Sequence, residues 1–118
     1  MKDKIAVIGV SRNKEKWGYK IYNSFSSGAA VYPINPKCKK IDGKKCYPSL
    51  KKLPEVPDMI IIVVPPEVTE RIVREAKKLG VKKVWMQPGS ESDTAVEYCE
   101  KNGIEVFHGA CIIRYGEK

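Results

Sequence analysis

The sequence predicts a doubly wound α/β fold, with helices on both faces of a five-stranded parallel sheet. One reason is that five short runs rich in β-branched residues are apolar at nearly every position, as in strands buried on both faces. Another is that these runs alternate with segments of helical periodicity, which is typical of crossover helices between parallel strands. Right-handed crossovers would give the strand order 3-2-1-4-5, counted along the chain, in one domain over residues 1–118.

The chain begins with a strand, a loop and a helix. The apolar run Lys4–Val10 predicts the first strand, which ends where a glycine and a serine begin the loop. Beyond Gly18, the apolar residues of Tyr19–Phe25 recur at near-helical spacing. Ser27 and Gly28 then predict the end of this helix.

The second strand, Ala30–Ile34, precedes a strongly basic segment. Pro36 ends the strand because proline has no amide hydrogen with which to continue a central strand. Between residues 37 and 52 there are seven lysines and a single acid, Asp42, which is followed by a glycine and predicts a turn. At most one short helix is expected in this segment, around residues 49–53.

The most apolar segment of the chain, Met59–Val64, predicts the central strand, and two prolines end it. Glu67–Leu79 then places its apolar residues on one stripe with arginines and lysines opposite, as in an amphipathic helix, and Gly80 closes it. The fourth predicted strand is Val81–Gln87, and the fifth is Ile104–Phe107. Between them a helix is predicted over Asp93–Lys101, capped by Ser90 or Ser92.

Length and composition exclude several classes of protein. A chain of 118 residues is too short for a cofactor domain plus a separate substrate domain. No apolar run reaches the roughly 18 residues that span a bilayer, and the N-terminus has no signal-peptide pattern, so we expect a cytoplasmic protein. Four scattered cysteines and one histidine predict neither a disulfide framework nor a zinc site.

In doubly wound sheets, ligands bind outside the carboxyl ends of the strands, at a switch point that the predicted order places between the first and fourth strands. The loop after the first strand has its next glycine only at Gly18, so the dinucleotide-binding glycine signature is broken. A glycine, free amides near a helix N-terminus, a hydroxyl and a guanidinium remain in Gly9, Val10, Ser11 and Arg12. These donors suit a pyrophosphate, although the glycines could instead serve only tight turns.

The end of the second strand indicates the type of nucleotide. NAD-binding folds place an acidic residue there to bind the ribose hydroxyls. This chain instead carries Asn35, Pro36, Lys37, Lys39 and Lys40. Because lysines attract an additional ribose phosphate, the candidate cofactors are NADP and coenzyme A. A solvated loop or a nucleic-acid contact are the other interpretations of this basic segment.

Several motifs, in the same order along the whole chain, resemble the stand-alone CoA-binding domain proteins. They are Gly9–Ser11, Asn35–Pro36, Tyr47–Leu50, Asp58 before the strand that ends in Pro65–Pro66, Trp85–Gly89 and Gly109–Ile112. Those proteins are similar to the Rossmann-like CoA-binding domain of the succinyl-CoA synthetase alpha subunit. The resemblance implies that the ADP part of CoA or acyl-CoA lies over residues 9–12 and 35–37, with Val64, Pro65 and Pro66 as an apolar wall. It implies no reaction, because the phosphorylated histidine of the ligase belongs to a domain that is absent here.

The last two carboxyl-end loops supply further candidates. Gln87 and Gly89 could lie against the pantetheine. Cys111 could form a mixed disulfide with the CoA thiol, or it could be a buried, inert cysteine. His108 is expected to be structural because no carboxylate is placed to orient it as a base, and Trp85 is expected to pack on the sheet.

The function that the sequence favours is non-catalytic binding of CoA or an acyl-CoA, as carrier, sensor or regulator. An NADP-dependent oxidoreductase is an alternative, but the sequence contains no convincing catalytic pair for it. A nucleic-acid binder that uses residues 37–52 is a further alternative, disfavoured because aromatic residues do not interleave with the lysines. A homodimer that buries the exposed edge strand of such a sheet, or the C-terminal tail, is a further expectation.

Overall fold

The computed structural model of the chain describes residues 4–11, 13, 15–25, 30–37, 39–41, 43–110 and 112. These residues form a Rossmann-like α/β domain with a five-stranded parallel sheet, as the sequence predicts. The elements in chain order are β1 (Lys4–Ile8), α1 (Trp17–Phe25), β2 (Ala30–Ile34), β3 (Lys40–Ile41), β4 (Lys44–Lys45), a 3₁₀ turn (Leu50–Lys52), β5 (Met59–Ile62), α2 (Pro66–Leu79), β6 (Lys83–Met86), α3 (Asp93–Lys101) and β7 (Glu105–Phe107).

The predicted strand order is wrong. The sheet has the order β2-β1-β5-β6-β7, so the five strands counted along the chain run 2-1-3-4-5 rather than 3-2-1-4-5. The predicted order would have placed Met59–Ile62 at an edge, whereas its three isoleucines are fully buried and require neighbours on both sides. β5 is therefore the middle strand, as its apolar sequence predicts, and the switch point lies between β1 and β5.

Tyr47, which follows the β4 strand, pairs with part of the outer edge of β2. β3 and β4 form an antiparallel hairpin, which the sequence analysis predicted only as a turn. After it, the amide of Tyr47 donates to the carbonyl of Pro33 (2.9 Å), and the amide of Asn35 donates to the carbonyl of Tyr47 (2.9 Å). The chain then crosses to the other side of β1 and enters the sheet as β5.

Alternating side chains of the strands build a hydrophobic core on each face of the sheet. On one face, Ala6 and Ile8 of β1 belong to the core cluster that contains residues of α2 and α3. On the other face, Ile5 and Val7 pack in the cluster that contains residues of α1 and the hairpin. Among the described helices the longest, α2, has 14 residues, and none is both long and apolar enough to cross a membrane.

Candidate functional site

A cavity of about 970 Å³ lies at the carboxyl ends of β1, β2 and β5, around the switch point. This volume is at the upper end of the range of small-molecule and cofactor sites, about 300–1,000 Å³. The loop after β1, the start of α1, the turn after β2, residues 48–50, the segment after β5 and one side of α2 contribute its walls. The cavity does not reach the end of β6 in the part of the chain that the structure describes.

Two glycines allow these walls to approach one another. Gly9 has a φ of +101°, and a Cβ atom on it would lie 2.2 Å from the carbonyl oxygen of Val63. A Cβ atom on Gly18 would lie 2.1 Å from the carbonyl oxygen of Gly9. Neither position has room for a side chain. Because both residues are glycines, the start of α1 and the end of β5 can pack against the loop after β1.

The amides of Gly9 and Val10 are not free, which corrects the expectation that this loop offers them to a ligand. Both donate to the carbonyl of Ile34, at 3.0 and 3.3 Å, because the loop folds over the end of β2 and its buried polar groups must be paired. Val10 is also fully buried and does not line the cavity.

The start of α1 and Ser11 remain as donors beside the loop. The first amides of a helix have no partner within the helix and carry a partial positive charge. Lys16, Trp17 and Gly18, at this end of α1, line the cavity. Ser11 lines it too, and its hydroxyl accepts a hydrogen bond from the amide of Asn13 (3.0 Å). Arg12 lies outside the described residues.

Asn35 joins two loops of the site. Its Nδ2 donates to the carbonyl of Val10 (2.7 Å), and its Oδ1 accepts from the amide of Lys37 (2.8 Å). The side chain that the sequence marks as a ligand contact thus fixes the turn that places Pro36 and Lys37 along the cavity.

Of the three predicted phosphate-binding lysines, the cavity brings only Lys37 into its lining. Lys39 precedes the hairpin, and its carbonyl accepts a hydrogen bond from the amide of Cys46 (2.9 Å). Lys40 is the first residue of β3. Both are exposed beside the site rather than within it.

The apolar wall consists of Val63, Val64 and Pro65. Pro65 ends this segment, and its carbonyl accepts the amides of Val68 (2.9 Å) and Thr69 (3.1 Å) in the first turn of α2. Pro66 is the first residue of α2 and does not line the cavity.

The sequence analysis did not identify one side of α2, or the residues at the start of α1, as part of the site. Residues Val68, Arg71, Ile72 and Glu75 of α2 line the cavity, as do Lys16 and the exposed Trp17. The amphipathic pattern of α2 could have indicated its contribution, because Arg71 and Glu75 lie three and seven residues beyond Val68, next to its apolar stripe.

The candidates at the end of β6 lie away from the cavity. Gln87 is buried, and its Oε1 accepts a hydrogen bond from the amide of Ile112 (2.8 Å). Gly89 has a φ of +93° and lies in the exposed turn that follows. Because β6 is one strand beyond the switch point, neither residue lines the cavity, and Gln87 instead binds the chain near the C-terminus.

Trp85 packs against the sheet, as predicted. Its Nε1 donates to the carbonyl of Ala110 (3.1 Å), and its ring stacks on that of Phe107 with centroids 5.2 Å apart. His108 is exposed and does not line the cavity, while Cys111 lies outside the described residues. Burial raises the pKa of the Cys99 thiol to about 11, which disfavours the thiolate that would react.

A polar cluster at the amino-terminal side of the sheet strengthens the fold away from the cavity. The hydroxyl of Tyr32 donates to the carboxylate of Glu55, whose other oxygen lies 2.9 Å from Nζ of Lys4. The hydrogen bond to Glu55 raises the pKa of Tyr32 to about 12, and the same bond, together with Lys4, lowers the pKa of Glu55. The cluster ties residues 53–58 to β1 and β2.

A family of proteins described as "CoA binding domain" matches this chain over residues 3–117. The ADP-forming acetate–CoA ligase II of Archaeoglobus fulgidus is 34% identical over 116 residues, and the alpha subunit of the Pyrococcus furiosus ligase II is 34% identical over 108. These alignments cover 87% and 88% of this chain. The chain spans only 17% and 24% of the lengths of the two ligases.

Solved structures of small proteins share the fold over most of their length. A conserved hypothetical protein from Pyrococcus furiosus is 42% identical, with a TM-score of 0.90 over 96% of this chain and 98% of that one. A hypothetical protein from Pyrococcus horikoshii OT3 is 31% identical, with a TM-score of 0.92 over 98% of this chain and 82% of that one.

Proposed function

The chain belongs to the CoA-binding domain family, and we propose that it binds coenzyme A or an acyl-CoA through the 3'-phospho-ADP moiety. One observation carries the proposal: the cavity at the switch point is lined by the N-terminus of α1 together with Ser11 and Lys37. These groups are cationic or hydrogen-bond donors, and they suit an anionic nucleotide.

Each part of the ligand has a group of matching chemistry in the cavity. The diphosphate lies at the start of α1, where the helix dipole and the first-turn amides favour negative charge. The 3'-phosphate on the ribose pairs with Lys37, which the hydrogen bonds of Asn35 hold at the rim. Val64 and Pro65 supply apolar contact on the β5 side.

The proposed role is binding without catalysis, as a carrier, sensor or regulator in the cytoplasm. The described lining contains no histidine, cysteine or tyrosine that could act as nucleophile or as general base near neutral pH. Its carboxylates, Glu15 and Glu75, come from different helices or loops on different walls of the cavity. A homodimer that buries an exposed edge strand of the sheet or the C-terminal tail stays a prediction, and light scattering of the purified chain tests it.

Calorimetric titration with CoA, 3'-dephospho-CoA, NADP and NAD tests the proposed function. We expect CoA to bind most tightly, with the loss of the 3'-phosphate costing about 1.5–3 kcal/mol, the range of hydrogen bonds to charged groups. Lys37→Ala should remove most of that difference, whereas Lys82→Ala, which removes an exposed lysine outside the cavity, should leave it.

Three results would contradict the proposal. Equal affinity for CoA and its dephospho form would refute the role of Lys37. Tighter binding of NADP than of CoA, with oxidation of NADPH by a carbonyl substrate, would favour the oxidoreductase. Absence of heat with all four compounds would exclude an adenine-nucleotide site.

A further inference from the structure

One side of α2 forms a wall of the cavity that has no role in the proposal so far. Val68, Arg71, Ile72 and Glu75 line it, and their spacing places them on one stripe of the helix. At a rise of 1.5 Å per residue, the stripe extends about 10 Å along the helix axis. Residues 48–50 line the same cavity, and the 3₁₀ turn that begins at Leu50 packs against α2. The cavity therefore continues as a groove between residues 48–50 and α2.

This groove is apolar at its floor and charged along its α2 side. Leu50 is buried, and Val64 and Ile72 pack against the same core cluster. Arg71 is exposed and Glu75 is half-buried, and within the part of the chain that the structure describes neither makes an ion pair or a side-chain hydrogen bond. An apolar slot with a carboxylate acceptor and a guanidinium suits a flat heteroaromatic ring that carries a donor on its edge.

The position of Lys37 determines which end of the ligand enters the groove. Pro36 and Lys37 follow β2, and Tyr47, which is hydrogen-bonded to the end of β2, leads directly into Pro48 at the groove. If Lys37 binds the 3'-phosphate, the base on that same ribose lies nearest to Pro48 and the groove. The diphosphate then extends in the opposite direction, toward α1.

We propose that the groove holds the adenine ring and that Glu75 selects it by accepting a hydrogen bond from the exocyclic amine. Arg71, one turn before Glu75, flanks the ring and contributes a cation–π contact. Hypoxanthine and guanine present a carbonyl oxygen where adenine has the amine, and that oxygen is repelled by a carboxylate. Glu75 is thus a specificity-determining residue. This inference rests on the proposed function, because it assigns the base of the same nucleotide.

Calorimetric titration with adenosine 3',5'-bisphosphate and inosine 3',5'-bisphosphate tests the selection of the base. The natural chain should prefer the adenosine compound by about tenfold or more, as expected for a hydrogen bond to a charged group. Glu75→Gln should bring the ratio of the two affinities close to one, since a side-chain amide can present either a donor or an acceptor. Glu100→Gln, an exposed substitution on α3 outside the cavity, should leave the ratio unchanged.

The ratio of affinities separates this inference from the proposed function. An equal affinity of the natural chain for both bisphosphates, or an unchanged preference in Glu75→Gln, would overturn the inference while CoA binding stands. Weaker binding of 4'-phosphopantetheine by Glu75→Gln, with the base preference intact, would place the other end of CoA in the groove and also overturn it. Failure of the natural chain to bind CoA and both bisphosphates would overturn the proposed function and the inference together.

Discussion

Replacing Gly18 by alanine tests the contact that places α1 against the end of β1. Gly18 lies within α1, where alanine is intrinsically favoured over glycine by about 1 kcal/mol. In this structure, however, the new Cβ atom would lie 2.1 Å from the carbonyl oxygen of Gly9 and 3.2 Å from the Cα atom of Val10. Both neighbours are backbone atoms, so no side-chain rotation can relieve the clash.

The size of the effect follows from the movement that the clash requires. The start of α1 must shift by about 1 Å to restore ordinary contact, and this disturbs the buried side chains Ile21 and Tyr22. Overpacking of this kind costs about 1–3 kcal/mol, and a clash with backbone atoms belongs in the upper part of that range. Subtracting the gain of about 1 kcal/mol in helix propensity leaves a net loss of about 1–2 kcal/mol. We therefore expect Gly18→Ala to lower the melting temperature by roughly 4–8 °C, at about 4 °C per kcal/mol for a domain of this size.

Thermal unfolding followed by circular dichroism measures this change directly. Ser24→Ala is the matched control, because Ser24 is exposed on the same helix and its replacement reports helix propensity without the clash. If Gly18→Ala is as stable as the natural chain or more stable, the close approach of α1 to Gly9 is wrong, and with it the shape of the cavity.

Three further predictions concern the site, the C-terminal contact and the polar cluster. Trp17 lines the cavity and is 54% exposed, so CoA should change its fluorescence emission and reduce its quenching by acrylamide. Trp17→Phe should abolish this response. A response that persists in the variant would place the ligand elsewhere. Gln87→Leu should lower the free energy of unfolding in urea by about 1–3 kcal/mol, because the buried amide of Ile112 loses its acceptor. The affinity for CoA should not change. A parallel loss of affinity would show that Gln87 belongs to the site. The pKa of Glu55 is lower in the folded chain than in the unfolded chain, so its contribution to stability is present above its unfolded pKa and is lost as the pH falls through the folded value. Glu55→Gln should therefore lower the urea midpoint at pH 7 and flatten its fall in acid, and an unchanged acid profile would show that the Glu55 carboxylate, with Tyr32 and Lys4 as partners, adds nothing to stability.

The sequence was sufficient for the five strands of the parallel sheet and the three α-helices because their signals are local, whereas the β3–β4 hairpin was predicted only as a turn. The helix predicted over Glu67–Leu79 differs from α2 by one residue at its start, and the helix predicted over Asp93–Lys101 has the observed bounds. The strand order is not local, since it depends on which side of β1 the chain crosses to after β2. The apolar sequence of Met59–Ile62 nevertheless contained the answer, because only a middle strand buries three isoleucines completely.

The sequence was less informative about the site because it gives the residue types but not their hydrogen-bond partners in the folded chain. Gly9, Asn35 and Gln87 are all polar or permissive residues at strand ends, yet their amides and side chains are occupied by the chain itself. Arg71 and Glu75 belong to the site only because folding brings residues 48–50 and α2 to the same cavity. A contact between segments this far apart in sequence leaves no local pattern.

The internal hydrogen bonds have a consequence for binding. The side chain of Asn35 fixes the turn that leads to Lys37, and the Ile34 carbonyl fixes Gly9 and Val10 at the start of the loop after β1. The backbone of these described residues is therefore held in place before a ligand arrives. A ligand that meets a site already held in place loses little affinity to the ordering of loops. The heat-capacity change on CoA binding should then correspond to the burial of apolar cavity surface alone, without the larger negative value of coupled folding.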